Sequence, residues 1–456
     1  MWTFSECVEA TGGQGIGQPR WVSTVSTDSR QPCEGALFFA LSGDRFDGHD
    51  FVEAALQQGA VGAVVSQSAF AARQATWSKR TADRFFIRVD DPVAALGRMA
   101  AWHRRRFSIP LIGVTGSNGK TTTKEMLAAI LGRRRSTLAT RGNLNNQIGL
   151  PLSLLGLTHE HQAAVVEIGI SKPGEMKPLC EIARPTVGLV TNVGPAHLEF
   201  LGSVEGVAQE KCILLEMAEG GVVNLDDPRL APWAARLAKK WTYSVDGPAD
   251  VSVSAIRAGA DTTTFRLHLA GVEKGDVVLA SPGRHQLQNA VAAAACAVAV
   301  GCTGDDIRAG LSAFRPTSMR MEMREVGGVR VLLDAYNANP ASMQAAITTL
   351  AAAPGRRVAL LGDMLELGVD APMLHAEVGR FAAVRGIDHL ICVGQFAQAM
   401  ADGAKAAGGR AEVYAALTDA TAPLRAALRP GDTLLIKGSR GMAMERILPA
   451  LDFTTG

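Results

Sequence analysis

The segment that most constrains this chain runs from residue 109 to residue 135 and reads IPLIGVTGSNGKTTTKEMLAAILGRRR. Residues 111–115 are apolar and partly β-branched, which predicts a short strand, and residues 120–131 repeat apolar side chains at helical spacing. Residues 116–119 therefore form a strand-to-helix turn. Its glycines let backbone amides approach an anion, and the helix N-terminus and Lys120 add positive charge, so the turn is a candidate phosphate site.

This turn matches only part of the strict nucleotide-binding pattern. That pattern has a glycine five residues before the Gly-Lys pair, where this chain has Val114. A shorter Gly-x-x-Gly-Lys-Thr loop remains, in which Thr121 offers a hydroxyl to a magnesium ion. An ordinary loop of the same composition stays an alternative, although the predicted strand and helix on either side favour the phosphate site.

Length and composition exclude several classes of protein. The 456 residues are enough for about three domains, and 46 basic residues nearly balance 44 acidic ones, which argues against a nucleic-acid or membrane-surface partner held by bulk charge. The seven cysteines include no Cys-x-x-Cys pair, which disfavours a zinc cluster or a dithiol redox site. No signal peptide and no apolar run of spanning length is evident. We expect a cytoplasmic monomer that neither binds nucleic acid nor inserts into a membrane.

The order of predicted elements indicates an α/β protein of three domains. Residues 1–108 predict a small α/β domain, in which the polar runs 26–30 and 43–49 adjoin predicted strands as ordinary turns or as ligand-binding loops. Residues 109–314 alternate strand, loop and helix, which predicts a parallel sheet. Residues 315–456 repeat that alternation and predict an open sheet of the dinucleotide-binding, Rossmann-like type.

Three further side chains could take part in chemistry. Glu167 ends an apolar strand and is a natural magnesium ligand, or else a solvated strand-end carboxylate. His197 follows the next predicted strand, where a satisfied structural histidine is the alternative. Lys211 lies in a helical segment, either as a solvated or ion-paired side chain or in a specific role.

A second polar loop, DAYNANP at residues 334–340, follows a predicted strand and precedes a helix expected to start near Ser342. Its aspartate could bind ribose hydroxyls and its Tyr-Asn pair could pack on a base, while an Asx-rich turn that caps the helix is the alternative. The loops at 362–368 and 437–441 also follow strands, the first with acidic and the second with basic charge.

These motifs together resemble the Mur ligase family over nearly the whole chain: TDSR, GVTGSNGKTTTKE, GNLNNQIGLPLSLL, VVEIGIS, TNVGPAHLEFLGS, DAYNANPASM, LGDMLELG and KGSRGMAMER. The combination is far more specific than any one of them. The resemblance implies a uridine-nucleotide-binding domain at 1–108, an ATP-binding domain at 109–314 and a Rossmann-like ligase domain at 315–456. Val114 in place of glycine then fits the family.

The resemblance also implies an activity, because DAYNANPASM is the form typical of members that add D-alanyl-D-alanine. Such an enzyme uses ATP and Mg²⁺ to join that dipeptide to UDP-N-acetylmuramoyl-tripeptide through an acyl phosphate, in the final cytoplasmic step of peptidoglycan precursor synthesis. The alternatives are another amide ligase of the superfamily, such as a third-residue adder or a folylpolyglutamate-synthetase-like enzyme, and a regulatory module that uses nucleotide without ligating.

The family's functional residues transfer to matching positions of this chain. The resemblance implies catalytic roles for Lys120, Glu167, His197 and Lys211, and Lys211 matches a lysine that several members carry as a carbamate. The ATP site would comprise Gly116, Ser117, Asn118, Gly119, Lys120, Thr121, Thr122, Asn289, Arg320, Asp334, Tyr336 and Asn337. Magnesium would bind Thr121, Glu167, His197 and, if carbamylated, Lys211. The uridine substrate would contact Ser29, Arg30, Asn143, Asn145 and Asn146.

Overall fold

The computed structural model describes residues 1–43, 46–259, 261–316 and 318–451, so Asp44 and Arg45 of the polar run at 43–49 lie outside it. The chain divides into two compact units, and the division falls within one strand, between Gly113 and Val114. Because these units are not the three expected domains, the boundaries at 108/109 and 314/315 remain predictions. The first unit contains Met1–Gly113, Ser136–Gly169 and Glu175–Thr186; the second contains Val114–Arg135, Ile170–Gly174 and the described residues from Val187 onward.

Strands and helices alternate along most of the chain. The strands are β1 (Gln14–Gly17), β2 (Thr24–Ser26), β3 (Ala36–Phe39), β4 (Gly62–Ser66), β5 (Phe85–Val89), β6 (Leu111–Thr115), β7 (Thr137–Ala139), β8 (Ala163–Glu167), β9 (Val187–Val190), β10 (Gly221–Asn224), β11 (Lys240–Ser244), β12 (Val251–Ala258), β13 (Thr263–Leu269), β14 (Val272–Leu279), β15 (Glu322–Val326), β16 (Val329–Asp334), β17 (Arg357–Gly362), β18 (His389–Val393), β19 (Ala411–Tyr414) and β20 (Thr433–Lys437). The α-helices are α1 (Phe4–Thr11), α2 (Val52–Gln57), α3 (Gln67–Ala72), α4 (Gln74–Arg80), α5 (Pro92–Arg104), α6 (Lys120–Leu131), α7 (Gly149–Leu155), α8 (Met176–Ala183), α9 (Leu198–Leu201), α10 (Val204–Met217), α11 (Trp233–Arg236), α12 (Arg284–Ala299), α13 (Gly304–Ala313), α14 (Pro340–Ala351), α15 (Ala371–Val384), α16 (Ala397–Ala406) and α17 (Leu417–Ala427).

The first unit is built on a five-stranded sheet of order β1-β5-β4-β3-β2. Strand β1 is antiparallel to β5, and the other neighbours are parallel. Apolar side chains from the strands pack against the helices; Trp77 of α4, for example, stacks on Phe86 of β5 at a centroid distance of 5.4 Å. The same unit contains the parallel pair β7–β8, which ends at Glu167.

In the second unit, six strands lie side by side in the order β14-β13-β12-β11-β10-β9. Neighbours from β9 to β12 are parallel, and β12, β13 and β14 form antiparallel hairpins. Helix α12 presents a run of small, buried side chains from Ala290 to Ala297. Small side chains let helices approach closely, and α12 packs against α6, whose N-terminus carries the phosphate loop.

The C-terminal sheet of the second unit has the order β15-β16-β20-β17-β18-β19, with only β15 antiparallel to its neighbour among these described strands. Alternate residues of each strand enter different cores: Leu361 and Cys392 face α14, α15 and α16, whereas Leu360 and Ile391 face α17. Helices therefore cover both faces, and the predicted Rossmann-like architecture is confirmed.

The local predictions around the phosphate loop agree with the structure, since β6 and α6 occupy the predicted 111–115 and 120–131. Helix α14 begins earlier than expected, because Asn339 caps it and Pro340 occupies its first position, a residue whose fixed φ suits a helix start. Among the described residues no helix combines the length and apolar character needed to cross a membrane.

Candidate active site

The phosphate loop requires glycine at both of its glycine positions. Gly116 has φ of 144° and Gly119 has φ of 81°, values that side chains rarely tolerate. A Cβ on Gly116 would lie 1.9 Å from Oγ1 of Thr191, and one on Gly119 would lie 2.1 Å from Oδ1 of Asn289. Asn289 therefore lies directly against the loop, as a residue of the predicted ATP site.

The loop is tied to the segment that follows β9. The backbone N–H of Ser117 donates to the carbonyl of Asn192 at 3.0 Å, and the N–H of Asn118 donates to Oδ1 of Asn192 at 3.0 Å. Oγ of Ser117 bonds the carbonyl of Gly194 at 3.0 Å. Because these two amides already have acceptors, an anion here would depend more on the start of α6 and on Lys120 than the sequence alone indicated.

Lys120 is the first residue of α6, and its Nζ donates to the carbonyl oxygen of Gly116 at 2.8 Å. The ammonium group is thereby held over the turn, beside a helix N-terminus whose first amides have no acceptor within the helix. Thr121 and Thr122 follow in the first turn and are buried. Charge and donors thus converge where a phosphate group would bind.

The C-terminal sheet also contributes to this loop. Asn339 donates through Nδ2 to Oδ1 of Asn118 at 2.9 Å, and its own Oδ1 accepts the N–H of Ser342 at 2.9 Å as the cap of α14. The cap fixes the orientation of the Asn339 amide, so the DAYNANP loop meets the phosphate loop in a defined way. Sequence reasoning missed this contact, although an Asn before a helix-starting Pro was a visible signal.

Of the other predicted nucleotide residues, Arg320 contacts Tyr336, and Lys437 links Asp334 to Asn337. The guanidinium of Arg320 lies 3.8 Å from the ring centroid of Tyr336. Oδ2 of Asp334 accepts from Nζ of Lys437 at 2.6 Å, and the same Nζ donates to the carbonyl of Asn337 at 2.9 Å. The predicted ribose ligand Asp334 is therefore held by Lys437, a buried residue that sequence reasoning did not single out.

His197 and Lys211, the two predicted metal residues after β9, occupy different settings. Nδ1 of His197 lies 2.6 Å from Oε2 of Glu366, and this hydrogen bond lowers the pKa of Glu366. Lys211 lies on α10 and is buried. The described residues contain no group of three or more His, Cys, Asp and Glu side chains arranged to hold a metal.

Glu167 belongs to the first unit, where it is buried at the end of β8. Its Oε1 accepts from Nδ2 of Asn145 at 2.7 Å, and its N–H donates to Oγ1 of Thr140 at 3.0 Å. A buried carboxylate oriented by an amide is typical of metal ligands, whose own hydrogen bonds fix their direction. The structure thus brings a predicted metal ligand together with the predicted substrate residue Asn145.

The remaining predicted substrate residues are also in the first unit. Arg30 forms a bidentate pair with Asp28, with distances of 2.8 and 2.9 Å, and its hydrogen bonds lower the pKa of Asp28 to about 2. The Arg30 side chain is exposed, and Ser29 lies between the two residues in the same turn. Oδ1 of Asn146 accepts amides at the start of α7, whereas Asn143 is exposed.

Comparison with known proteins places the whole chain in one family. Three family models match: "Mur ligase family, catalytic domain" at residues 22–104, "Mur ligase middle domain" at 114–297 and "Mur ligase, glutamate ligase domain" at 319–440. The UDP-N-acetylmuramoyl-tripeptide–D-alanyl-D-alanine ligase of Escherichia coli strain K12 is 37% identical over 98% of this chain and 98% of its own length.

Solved structures agree with this match. A crystal structure of MurF from Acinetobacter baumannii aligns with a TM-score of 0.88 at 33% identity, covering 99% of this chain and 98% of that one. The MurF ligase of Thermotoga maritima, crystallised in complex with ADP, aligns with a TM-score of 0.81 at 29% identity, covering 94% and 96%. This chain belongs to the Mur ligase family.

Proposed function

We propose that this chain is an ATP-dependent, ADP-forming ligase that joins D-alanyl-D-alanine to UDP-N-acetylmuramoyl-tripeptide in peptidoglycan precursor synthesis. The observation that carries this proposal is the phosphate loop itself, with Lys120 over the turn and Asn339 of the DAYNANP loop bonded to Asn118. The match to D-alanyl-D-alanine ligases over nearly the full chain supports the choice of substrates. Third-residue adders, folylpolyglutamate-synthetase-like enzymes and regulatory modules are not favoured.

The chemistry follows from charge. A carboxylate is a poor acyl donor, so the terminal carboxylate of the tripeptide first attacks the γ-phosphoryl group of ATP, which gives an acyl phosphate and ADP. The amine of D-alanyl-D-alanine then displaces phosphate. Both steps gather negative charge at one point, and Lys120 together with the start of α6 would stabilise it.

Magnesium fits the chemistry of the proposed ligands, since Glu167 is a buried carboxylate held by an amide and Thr121 offers a hydroxyl at the start of α6. When bound, the ion would neutralise phosphate charge and orient the transferred group. His197 and a carbamylated Lys211 complete the proposed set. The burial of the Lys211 side chain sets it apart from a solvated surface lysine, which supports a specific role for it.

The proposed ATP contacts are those implied by the family resemblance. Asn289 would meet adenine, Arg320 would reach the phosphates, and the 334–337 segment would bind ribose and base. The contact of Asn289 with the phosphate loop and the stacking of Arg320 on Tyr336 support their shared role. In the first unit, we assign Ser29 and Arg30 to the uridine nucleotide and Asn143, Asn145 and Asn146 to the muramoyl peptide.

We further propose that the protein acts in the cytoplasm, where nucleotide-linked precursors and ATP are present, as a monomer without a nucleic-acid partner. The near balance of basic and acidic residues supports the last point, because bulk charge would not hold a polyanion. Sedimentation at enzyme concentrations used in assays would test the oligomeric state.

Phosphate release measured with each substrate omitted in turn tests the proposed function. A ligase releases phosphate at its full rate only when ATP, UDP-N-acetylmuramoyl-tripeptide and D-alanyl-D-alanine are all present. ATP turnover that is indifferent to either peptide would contradict the proposal and favour a regulatory ATPase. Comparing tripeptides that end in diaminopimelate and in lysine would identify the third residue.

The role of Lys211 has its own test. If its carbamate binds magnesium, Lys211→Ala should be nearly inactive, and small carboxylates added to the assay should restore part of the rate by occupying the vacated position. A fully active Lys211→Ala variant would exclude the carbamate. Exposed Lys172→Ala, also in the second unit, controls for the loss of a lysine as such.

A further inference from the structure

The contact between His197 and Glu366 joins residues 169 positions apart in the second unit. His197 precedes α9, next to the segment that follows β9, whereas Glu366 belongs to the loop after β17 of the C-terminal sheet. A hydrogen bond of 2.6 Å between imidazole and carboxylate is short, as expected for a charge-assisted bond. The central part of the second unit and its C-terminal sheet therefore meet at this pair.

Both residues adopt backbone conformations that side chains usually avoid. His197 has φ of 54° and Glu366 has φ of 61°, and neither is glycine. Left-handed conformations cost free energy in residues with a Cβ and persist where the surrounding structure holds them. Gly368 lies in van der Waals range of the same region, since a Cβ on it would lie 3.5 Å from Cα of Glu199. Two loops are thus held together with their side chains directed at one another.

The loop that presents Glu366 is anchored on its N-terminal side. The buried Asp363 carboxylate accepts the N–H groups of Gln395 and Phe396 at 2.7 and 3.0 Å. The N–H of Met364 donates to Nε2 of buried His375 at 2.9 Å, and that of Leu365 donates to Oγ of Ser439 at 2.9 Å. The three residues before Glu366 are therefore each held by hydrogen bonds, which fix the position of the backbone that carries the Glu366 carboxylate.

We infer that Glu366 is a positioning residue for the metal site: its carboxylate accepts a hydrogen bond from Nδ1–H of His197 and thereby leaves Nε2 as the lone-pair donor toward magnesium. This inference rests on the proposed function, in which His197 is a metal ligand. A carboxylate on the far nitrogen of a ligating histidine fixes its tautomer and ring orientation and raises its basicity. Here that carboxylate comes from the C-terminal sheet, so the docking of that sheet would complete the metal site.

Two spectroscopic measurements test the inference without any peptide substrate. In protein labelled with ¹⁵N-histidine, long-range proton–nitrogen spectra distinguish the two neutral tautomers and the imidazolium, and loss of one signal set in His197→Asn assigns His197 among the nine histidines. Electron paramagnetic resonance of Mn²⁺, titrated in the presence of ADP, reports metal affinity. Mn²⁺ here replaces Mg²⁺, with which it shares oxygen-ligand chemistry.

We expect the wild-type His197 to carry its proton on Nδ1. Glu366→Ala should shift His197 toward the Nε2–H tautomer and weaken Mn²⁺ binding about tenfold or more. In Glu366→Gln the amide oxygen can still accept the hydrogen bond, so its Mn²⁺ affinity should lie between those of the wild type and Glu366→Ala. Asp370→Asn is the matched control, because it removes the same charge nearby from an exposed side chain, which makes no capping hydrogen bond at the start of α15, and it should change neither readout.

An Nε2–H tautomer or an imidazolium in the wild type would overturn the inference. Equal spectra or equal Mn²⁺ affinity in Glu366→Ala and the wild type would overturn it too. If both readouts behave as expected but the wild-type protein fails to ligate, the proposed function fails while the coupling of Glu366 to His197 stands. The two failures are therefore distinguishable.

Discussion

Two lysines beside strand ends of the second unit are used in opposite ways. Lys120 begins α6, directly after a turn whose two glycines have positive φ, and its ammonium donates to the carbonyl of Gly116. Lys437, at the end of β20, directs its ammonium to the Asp334 carboxylate and to the carbonyls of Asp334 and Asn337. An ammonium has three protons to donate, so Lys437 is satisfied by the protein itself.

The hydrogen-bond partners of the two ammonium groups distinguish a lysine that can bind a ligand from one that stabilises the fold. A phosphate oxygen is a stronger acceptor than a peptide carbonyl, so an incoming nucleotide can take Lys120 from Gly116. If a ligand displaced Lys437 from Asp334, the carboxylate would lose its countercharge. Because Lys437 is only 2% exposed, water could not replace that ion pair easily. We therefore assign Lys120 to catalysis and Lys437 to the shape of the loop at 334–340.

The largest expected effect is on turnover. Lys120→Ala should lower kcat about 10³-fold, because it removes charge that stabilises the transferred phosphoryl group, while the free energy of unfolding changes by less than about 1 kcal/mol. Rates of ADP formation and urea unfolding curves of both proteins check this. Wild-type rates in a folded Lys120→Ala variant would mean that the phosphate loop has been misread.

The complementary variant should fail in the opposite way. Lys437→Met should lower the free energy of unfolding by about 3 kcal/mol, because the carboxylate of Asp334 is left unpaired next to the core. The double variant Lys437→Met/Asp334→Asn serves as the control and should recover much of that loss. If Lys437→Met unfolds at the wild-type urea concentration, the distinction between the two lysines breaks down.

His103 in the first unit offers a further test of the rule that a polar side chain satisfied within the protein stabilises the fold. Both of its ring nitrogens form hydrogen bonds within the protein. Nδ1 accepts from Nε1 of Trp2 at 3.1 Å, Nε2 donates to the carbonyl of Leu157 at 2.9 Å, and burial lowers the pKa of His103 to about 4. An unfolded histidine titrates near pH 6.5, so between pH 6.5 and 4 the unfolded state binds a proton that the folded state lacks.

Stability from His103 is therefore present above pH 6.5 and is lost as the pH falls toward 4, with a loss of about 2 kcal/mol at pH 5. Urea unfolding at pH 7 and pH 5 measures it. His103→Gln should flatten this dependence by that amount, since the other eight histidines are unchanged. The same slope in both proteins would show that His103 is not held neutral by its contacts.

The smallest expected effect concerns the contact between the phosphate loop and the C-terminal sheet. A double-mutant cycle of Asn118→Ala and Asn339→Ser should give a coupling of about 1 kcal/mol in unfolding free energy, the value of one typical intramolecular hydrogen bond. Serine retains the cap of α14, so Asn339→Ser isolates the bond to Asn118. A coupling near zero would mean that this contact is not maintained in solution.

Sequence reasoning succeeded where the signal was local. The strand β6, the helix α6 and the glycines between them follow from periodicity and turn chemistry within some twenty residues, and family membership follows from many such motifs. Short or exposed strands carried less signal: β7 has three residues, and β15 pairs only along one edge, so neither was predicted.

The missed contacts are those between residues far apart in sequence. Asn118 meets Asn339 across 221 positions, and His197 meets Glu366 across 169. The charge of the segments 437–441 and 362–368 was noted from the sequence. Nothing local shows, however, that the charge of Lys437 is neutralised within the protein or that the carboxylate of Glu366 is bonded to a histidine. Only the packing of the sheets decides that.

One isotope measurement tests the central claim, that the phosphate loop serves to activate a carboxylate. UDP-N-acetylmuramoyl-tripeptide labelled with ¹⁸O in its terminal carboxylate is incubated with ATP and D-alanyl-D-alanine, and the released phosphate is analysed by mass spectrometry. If the carboxylate attacks the γ-phosphoryl group, one ¹⁸O per turnover passes into inorganic phosphate, because the bridging oxygen leaves with it. Phosphate without ¹⁸O would show that water attacks ATP, which would contradict the ligase account.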